Sequence, residues 1–282
     1  MKLTVAAPAK LNLFLHVVGR REDGYHLLQS AFTLIDCCDT LHFTRRDDGV
    51  VRRVAGNVDI PEKDDLVLRA AHLLQRESMT SFGADIGIEK RIPMGSGLGG
   101  GSSDAASTLI ALGRIWNLNL RRTRLQELGL RLGADVPFFV FGRSAWAEGV
   151  GEHLQEIDIP LWWYLVLTPS THVSTPFVFS HPELTRNTIP RKIADFSASG
   201  LADTRNDLQP VVLKEFPAVA ASFSALQCVS QKSVFGARMT GSGACVFAAF
   251  ESETDARHAQ QKLSPEYTGF IAQGLKQHPL RD

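Results

Sequence analysis

The chain has 282 residues, which is enough for one large or two ordinary domains, and we expect two. Its 30 lysines and arginines balance its 30 aspartates and glutamates, which argues against a nucleic-acid-binding surface as the main activity. No apolar run approaches the ~20 residues of a membrane span, and the amino terminus lacks the apolar region of a signal peptide.

The four cysteines show neither metal-ligand spacing nor a disulfide framework, which suits a reducing compartment. We therefore expect a cytoplasmic protein whose partners are small molecules. We expect no nucleic-acid or membrane partner, and either a monomer or a homodimer.

The first predicted element is a strand over residues 3–18, which has one apolar face. Its opposite face carries Lys10 and Asn12, and such side chains are costly to bury unless polar groups meet them. Taken alone, this pair is typical of a face exposed to solvent.

The remaining pattern mixes strands and helices without repeats, which predicts an α+β fold. We place a domain boundary after residue 158, so that the domains span residues 1–158 and 159–282. The predicted elements are a strand over 25–43, a helix over 64–77, a helix beginning near Ser102 or Ser103, a helix over 123–132, a hairpin over 145–159, a strand over 162–168, a polar stretch over 185–207, a helix over 208–226, a strand near residue 247, a helix from Thr254 and a strand over 269–274.

Residues 93–104 (PMGSGLGGGSSD) form the most informative segment, because five of the seven residues 95–101 are glycine and a helix follows. Glycines let a backbone approach a ligand closely, and the free amides and dipole at a helix start favour an anion. The segment is therefore predicted to bind phosphate.

Other glycine-rich phosphate sites fit less well. A dinucleotide-binding loop needs an acidic residue about 20 positions later, but residues 105–126 contain no Asp or Glu. A Walker loop needs a Lys after its last glycine, where this chain has Ser102. The protein-kinase sequences His-Arg-Asp and Asp-Phe-Gly do not occur. A glycine-rich turn that only caps a helix remains an alternative, although a cap requires fewer glycines than this segment contains.

Two further features have both a local and a functional interpretation. Asp135 lies in the apolar sequence ADVPFF, where an ionised carboxylate needs a cation or several donors, but it could also act as a local cap. Residues 240–244 (TGSGA) form a second glycine-rich segment, which could be simply a tight turn.

Three segments in this order resemble the signature motifs of the galactokinase, homoserine kinase, mevalonate kinase and phosphomevalonate kinase (GHMP) superfamily. They are residues 8–15 (PAKLNLFL), 93–103 and 238–245 (RMTGSGAC).

Further segments resemble one family within that superfamily, the 4-diphosphocytidyl-2-C-methyl-D-erythritol kinases. These segments are residues 21–26 (REDGYH), 134–137 (ADVP) and 175–184 (TPFVFSHPEL). The resemblance extends over nearly the whole chain.

The resemblance implies transfer of the γ-phosphoryl group of ATP to a hydroxyl of a cytidine-diphosphate-linked methylerythritol, in non-mevalonate isoprenoid synthesis. It also implies a ribosomal-S5-like amino-terminal domain and a ferredoxin-like carboxy-terminal domain, with the active site in the cleft between them. Mg²⁺ is expected together with ATP, and Ser102 or Ser103 is a candidate contact for it. No residue is assigned as a metal ligand.

The resemblance also implies roles for individual residues. Asp135 would accept the proton of the attacking hydroxyl, and Lys10 would pair with Asp135 and orient both groups. Tyr25 and Phe179 would stack on either side of cytosine, His26 would bind its edge, and Asn12 and Thr175 would hold polar groups. The residues expected to hold the triphosphate are Pro93, Met94, Gly95, Ser96, Gly97, Leu98, Gly99, Gly100, Gly101, Ser102 and Ser103.

One residue departs from the family pattern. Asp65 stands where an asparagine is expected near adenine, so that a hydrogen-bond donor is lost. The alternatives are a sibling kinase that acts on homoserine or a mevalonate-type alcohol, and a non-enzymatic nucleotide- or RNA-binding protein with an S5-like fold.

Overall fold

The computed structural model describes residues 1–56, 60–195 and 199–281. Residues 196–198, which belong to the polar stretch predicted over residues 185–207, lie outside the described residues. Within the described ranges strands and helices are mixed along the chain, so the predicted α+β class is confirmed.

Two long antiparallel strands organise the amino-terminal half. The strands predicted over residues 3–18 and 25–43 are confirmed as β1 (Lys2–Arg20) and β2 (His26–Arg46), which pair over almost the whole length of β1. β2 also pairs with three strands from later in the chain. The strands that complete this part of the sheet are β3 (Val51–Ala55), β4 (Gly83–Glu89), β5 (Ala145–Glu148) and β6 (His153–Glu156).

Four helices pack against this part of the sheet. They bury their apolar sides in one cluster, in which Leu109 and Phe138 lie with Phe43 of β2. The helices are α1 (Leu66–Ser78), α2 (Gly100–Ile115), α3 (Arg122–Leu130) and α4 (Val136–Phe141).

Helix α2 begins earlier than predicted. The sequence places its start near Ser102 or Ser103, whereas the structure begins it at Gly100. Gly99 precedes it in the left-handed conformation, with φ of 74°, and accepts a hydrogen bond from the amide of Ser103 at 2.9 Å. The prediction was wrong because glycine has a poor intrinsic helix propensity, whereas the hydrogen bond from the Ser103 amide to the Gly99 carbonyl already closes a helical turn here.

The carboxy-terminal half is a smaller antiparallel sheet covered by helices. Its strands are β7 (Trp163–Leu167), β8 (Arg238–Met239), β9 (Val246–Phe250) and β10 (Gly269–Leu275). Its helices are α5 (Thr175–Ser180), α6 (Gln209–Glu215), α7 (Pro217–Val229) and α8 (Glu253–Gln261).

The single helix predicted over residues 208–226 is wrong, because α6 and α7 are separate helices. Proline has no amide hydrogen and disfavours the helical conformation in the residue before it. Phe216, which precedes Pro217, accordingly has φ of −124° and ψ of 89°.

β10 connects the two parts of the sheet. Gly274 and Leu275 pair with β2, and residues 269–273 pair with β7. The chain end then returns to the amino-terminal half, where a ring nitrogen of His278 lies 3.2 Å from the Ser107 hydroxyl. The domain boundary after residue 158 stays a prediction.

A buried arginine joins the carboxy-terminal sheet to β1. Arg238 is 5% exposed, and its guanidinium donates hydrogen bonds to the Leu13 carbonyl at 2.6 Å, to the Thr204 hydroxyl at 2.8 Å and to the Leu201 carbonyl. It also lies 4.3 Å from the centroid of the Phe235 ring. Burial lowers the pKa of Arg238 to about 10. Its hydrogen bonds therefore compensate for a costly desolvation.

We expect Arg238→Met to lower the free energy of unfolding by about 2–4 kcal/mol, because it leaves buried acceptors without a donor. Urea denaturation measures this loss. The matched control is Arg257→Met, which removes an exposed ion pair with Glu253 on α8 and should change stability by less than about 1 kcal/mol. Equal effects of the two substitutions would contradict the structural role of Arg238.

Candidate active site

A cavity of about 1120 Å³ lies where the two halves of the chain meet. It is lined by parts of two loops: the first glycine loop, residues 93–103, and the second glycine loop, residues 240–244. Most residues proposed from the sequence line it as well. These are Lys10, Asn12, Tyr25, His26, Pro93, Met94, Gly95, Ser96, Gly97, Gly99, Gly100, Gly101, Ser102, Asp135, Thr175 and Phe179.

Leu98 and Ser103 connect the first glycine loop to β1 instead of lining the cavity. The Leu98 side chain is buried in an apolar cluster, and its carbonyl accepts a hydrogen bond from the amide of Lys10 at 3.0 Å. The Ser103 hydroxyl donates to the carbonyl of Pro8 at 2.7 Å. These two residues therefore hold the loop in place next to the lysine.

Lys10 and Asp135 form an ion pair in the cavity, with Nζ 3.4 Å from Oδ2. The lysine side chain is 3% exposed, whereas the aspartate side chain is 35% exposed. Asp135 precedes α4, but its side chain makes no capping hydrogen bond. The local-cap interpretation of Asp135 is therefore wrong, and its carboxylate is open to the cavity.

The polar face of β1 is buried, so the interpretation as a solvent-exposed face is wrong. Asn12 is 2% exposed, and its Oδ1 accepts a hydrogen bond from Lys10 Nζ at 2.5 Å. Its Nδ2 donates to the Ser30 hydroxyl at 2.8 Å. Lys10 Nζ also lies 5.3 Å from the centroid of the Phe32 ring. Polar groups and an aromatic ring thus compensate the buried ammonium.

The two glycine loops contact each other, so the second one is more than a tight turn. The Cys245 amide donates to the Ser96 carbonyl at 3.1 Å. Gly97 has φ of 79°, and a Cβ atom there would lie 2.4 Å from the Thr240 carbonyl oxygen. Thr240 is fully buried and accepts a hydrogen bond from the Asn12 amide at 2.9 Å. Thr240 therefore supports the first loop, while residues 241–243 line the cavity.

A buried charge cluster lies beside the first glycine loop. Lys90 Nζ forms ion pairs with Asp39 and, at 2.8 Å, with Asp104. Asp39 also accepts hydrogen bonds from the amides of Arg91 and Ile92 at 2.6 and 2.8 Å. Burial raises the pKa of Asp104 to about 7, and the neighbouring Lys90 opposes part of that rise. The cluster joins β2 to the first turn of α2.

Aromatic side chains also line the cavity. The rings of His26 and Phe179 have centroids 5.0 Å apart and planes inclined by 31°. Tyr25 is 65% exposed, and the Thr175 hydroxyl lies 2.6 Å from the Ser242 hydroxyl. Burial lowers the pKa of His26, and the nearby Arg186 and Arg20 lower it further. His26 therefore presents a neutral ring.

Two family models match the chain. Residues 65–143 match the model described as GHMP kinases N terminal domain, and residues 186–268 match the one described as GHMP kinases C terminal. The chain belongs to the GHMP kinase family. The predicted α+β organisation with an amino-terminal and a carboxy-terminal GHMP kinase domain is confirmed, and membership implies ATP as co-substrate.

Relatives with high sequence identity show which family within the GHMP kinases this chain belongs to. The chain is 57% identical over 281 residues to a 4-diphosphocytidyl-2-C-methyl-D-erythritol kinase of Nitrosospira multiformis, covering 100% of this chain and 94% of the relative. A protein of the same name from Thiobacillus denitrificans is 56% identical over 283 residues, covering 100% and 99%. This GHMP kinase thus belongs to the 4-diphosphocytidyl-2-C-methyl-D-erythritol kinases, as predicted.

Solved structures agree at the level of the fold. A crystal structure of 4-(cytidine 5'-diphospho)-2C-methyl-D-erythritol kinase matches with a TM-score of 0.82 and 33% identity, over 96% of this chain and 99% of the other. Homoserine kinase from Cytophaga hutchinsonii matches with a TM-score of 0.67 at 15% identity, over 98% and 95%, which shows a shared fold only. In the described part of this GHMP kinase, the helices are too short or too polar to cross a bilayer.

Asp65, the residue that departs from the family pattern, has two partners in this GHMP kinase. Its Oδ1 accepts a hydrogen bond from the Val67 amide at 2.9 Å and caps α1, and its carboxylate forms an ion pair with Arg53. Both residues line the cavity. The arginine places hydrogen-bond donors beside the carboxylate, which partly offsets the donor lost with asparagine.

Sequence reasoning missed several residues that shape the site. Asn206 Nδ2 donates to the carbonyls of Met239 and Gly241 at 2.8 Å each, which holds the second glycine loop. Arg186 contacts His26, and Lys90 holds the charge cluster. No local pattern marks these residues, because each acts on a segment far away in the chain.

We expect Gly97→Ala to raise the KM for ATP about tenfold or more, because the added methyl group would collide with the Thr240 carbonyl and displace the loop. Steady-state kinetics with ATP varied measures the change. Gly113→Ala is the matched control, since a Cβ atom there meets nothing within 4 Å, and it should leave KM unchanged. Similar kinetics for both variants would contradict the importance of the loop contact.

Proposed function

We propose that this chain transfers the γ-phosphoryl group of ATP to the 2-hydroxyl of 4-diphosphocytidyl-2-C-methyl-D-erythritol, in the non-mevalonate pathway of isoprenoid synthesis. The observation that carries the proposal is the Lys10–Asp135 ion pair, which lies in one cavity with the first glycine loop and the aromatic residues around His26. The names of the close relatives supply the substrate.

The first glycine loop is suited to the triphosphate. The first amides of α2 have no partner within the helix, and residues 100–102 face the cavity at its positive end. Backbone amides there bind phosphate oxygens and stabilise charge that develops during transfer. Lys10 adds a fixed positive charge close to this point. The loop therefore positions the phosphoryl donor.

Asp135 is suited to activate the acceptor. Its carboxylate accepts the proton as the acceptor oxygen forms a bond to the γ-phosphorus, and the bond from that phosphorus to the β,γ-bridging oxygen breaks to release ADP. Lys10 holds the carboxylate at 3.4 Å and orients it. Phosphoryl transfer mainly requires positioning and charge stabilisation. We therefore assign the chemical step to these two side chains.

Mg²⁺ is expected to accompany ATP, and the residues present fit a metal held mainly by phosphates. In the described residues, no group of three or more His, Cys, Asp or Glu side chains could hold a metal ion. Mg²⁺ in kinases uses few protein ligands besides phosphate oxygens and neutralises phosphate charge. Ser102 lines the cavity, whereas the Ser103 hydroxyl donates a hydrogen bond to the Pro8 carbonyl. Ser102 is therefore the proposed protein contact of Mg²⁺.

The cytosine of the acceptor is proposed to bind between Tyr25 and Phe179, with His26 at its edge. Stacking on aromatic side chains contributes roughly 1–3 kcal/mol per base. Asn12 and Thr175 also line the cavity and are the proposed contacts of the acceptor's polar groups. The proposal includes either a monomer or a homodimer.

A cytoplasmic setting is part of the proposal. All four cysteines of the sequence are free thiols, and such thiols persist where the surroundings are reducing. The balanced net charge is consistent with small-molecule substrates and gives no support to a nucleic-acid partner.

We expect the purified protein to phosphorylate the cytidylyl substrate with a kcat/KM at least about a hundredfold above that for homoserine, because only the former fills the aromatic pocket. Coupled ADP release measures both rates, and ³¹P and ¹³C spectra of the product locate the phosphate. A preference for homoserine would contradict the proposed substrate.

We expect Asp135→Asn to bind both substrates while kcat falls by about 10² to 10⁴, because the amide cannot accept the proton. Calorimetry checks binding and single-turnover kinetics checks the rate. Asp47→Asn, which changes an exposed carboxylate paired with Arg45, is the control and should keep the wild-type rate. An unchanged kcat in Asp135→Asn would remove Asp135 as the base.

A further inference from the structure

Arg186 lies next to the aromatic residues of the cavity and makes four hydrogen bonds with its five guanidinium N–H groups. Its Nε donates to Nε2 of His26 at 3.1 Å. Its Nη2 donates to the carbonyls of Phe179 and His181 at 2.9 and 2.8 Å, and its Nη1 donates to the carbonyl of Leu184 at 3.1 Å. Arg186 is not among the residues that line the cavity.

The contact with Arg186 determines where His26 carries its proton. A guanidinium only donates hydrogen bonds and does not lose its charge, so Nε2 of His26 must accept. A neutral imidazole that accepts at one nitrogen carries its hydrogen on the other. The proton of His26 is therefore on Nδ1. Burial lowers the pKa of His26, and the two cations Arg186 and Arg20 act in the same direction.

The same guanidinium also connects two walls of the aromatic pocket. His26 is the first residue of β2, and Phe179 lies in the last turn of α5, about 150 residues later in the chain. Arg186 bonds the ring of the former and the backbone of the latter. The ring centroids of His26 and Phe179 are 5.0 Å apart. The Arg186 side chain therefore helps to fix the positions of both His26 and Phe179. It also determines which nitrogen of the His26 ring can donate a hydrogen bond.

We propose that Arg186 is a positioning residue that makes the pocket select a pyrimidine ring with a hydrogen-bond acceptor at its edge, by holding His26 as a neutral Nδ1–H donor. Cytosine offers such acceptors at its ring nitrogen and its 2-oxo oxygen. The inference rests on the proposed function, in which the substrate carries a cytidine diphosphate group. Arg186 touches neither substrate and acts through His26 and Phe179.

The test compares Arg186→Gln and Arg186→Lys with the control Arg257→Gln, which changes an exposed arginine on α8. We expect Arg186→Gln to raise the KM for the cytidylyl substrate about tenfold or more at pH 8, where a neutral His26 is no longer held with its hydrogen on Nδ1, and less at pH 6, where a protonated His26 again donates from Nδ1. The KM for ATP and kcat should stay within about twofold. Arg186→Lys keeps the charge without the planar fork and should recover only part of the affinity.

An independent readout is the ¹⁵N spectrum of the His26 imidazole in the protein without substrate. The wild type should show the Nδ1–H form of the neutral ring and a pKa below that of an ordinary histidine, whereas Arg186→Gln should show a mixture of tautomers and a higher pKa. The proposal is overturned if the spectrum of His26 is the same in both proteins, or if the KM for ATP rises as much as that for the cytidylyl substrate. A different outcome separates this inference from the proposed function. If the wild-type protein does not phosphorylate the cytidylyl substrate but the His26 spectra of wild type and Arg186→Gln differ, the proposed function is refuted, whereas the effect of Arg186 on His26 is supported.

Discussion

The ammonium of Lys10 is buried at 3% exposure, and the cavity is arranged around this charge. A cation removed from water needs close partners, and Lys10 has the Asn12 amide oxygen and the Asp135 carboxylate. The backbone of the same strand bonds the first glycine loop through Lys10 and the second through Asn12. One short segment of β1 therefore supplies the buried positive charge and holds both glycine loops in position next to it.

The remaining buried charges hold the segments around this centre. Lys90 joins Asp39 on β2 to Asp104 on α2, and Arg238 joins the carboxy-terminal sheet to β1. Removing one partner of such a group leaves a charge without compensation in a medium of low polarity, which costs several kcal/mol. These contacts therefore resist changes in loop position, and phosphoryl transfer depends strongly on position.

The acceptor end of the cavity separates recognition from chemistry. His26 and Phe179 lie on β2 and α5, whereas Lys10 and Asp135 lie on β1 and just before α4. Helix α5 links to the second glycine loop through Thr175 and Ser242. Binding energy from a remote nucleobase can position a hydroxyl at the reacting centre. One fold can serve different substrates when the residues that recognise the substrate differ from those that hold phosphate.

The sequence by itself determined the class of fold, most strands and the motifs that carry the chemistry, since these depend on local periodicity and on residue types such as the glycines of residues 95–101. It also indicated Lys10 and Asp135. It failed at the start of α2, whose first two residues are glycines, and at the break before Pro217, where proline geometry outweighed helical periodicity. Only the tertiary structure decided that the polar face of β1 is buried and that the Ser103 hydroxyl donates a hydrogen bond to the Pro8 carbonyl. It also decided that Arg186 and Asn206 support the site. The reason is physical: these interactions join segments that are distant in the chain, and a local pattern carries no information about which distant groups will meet.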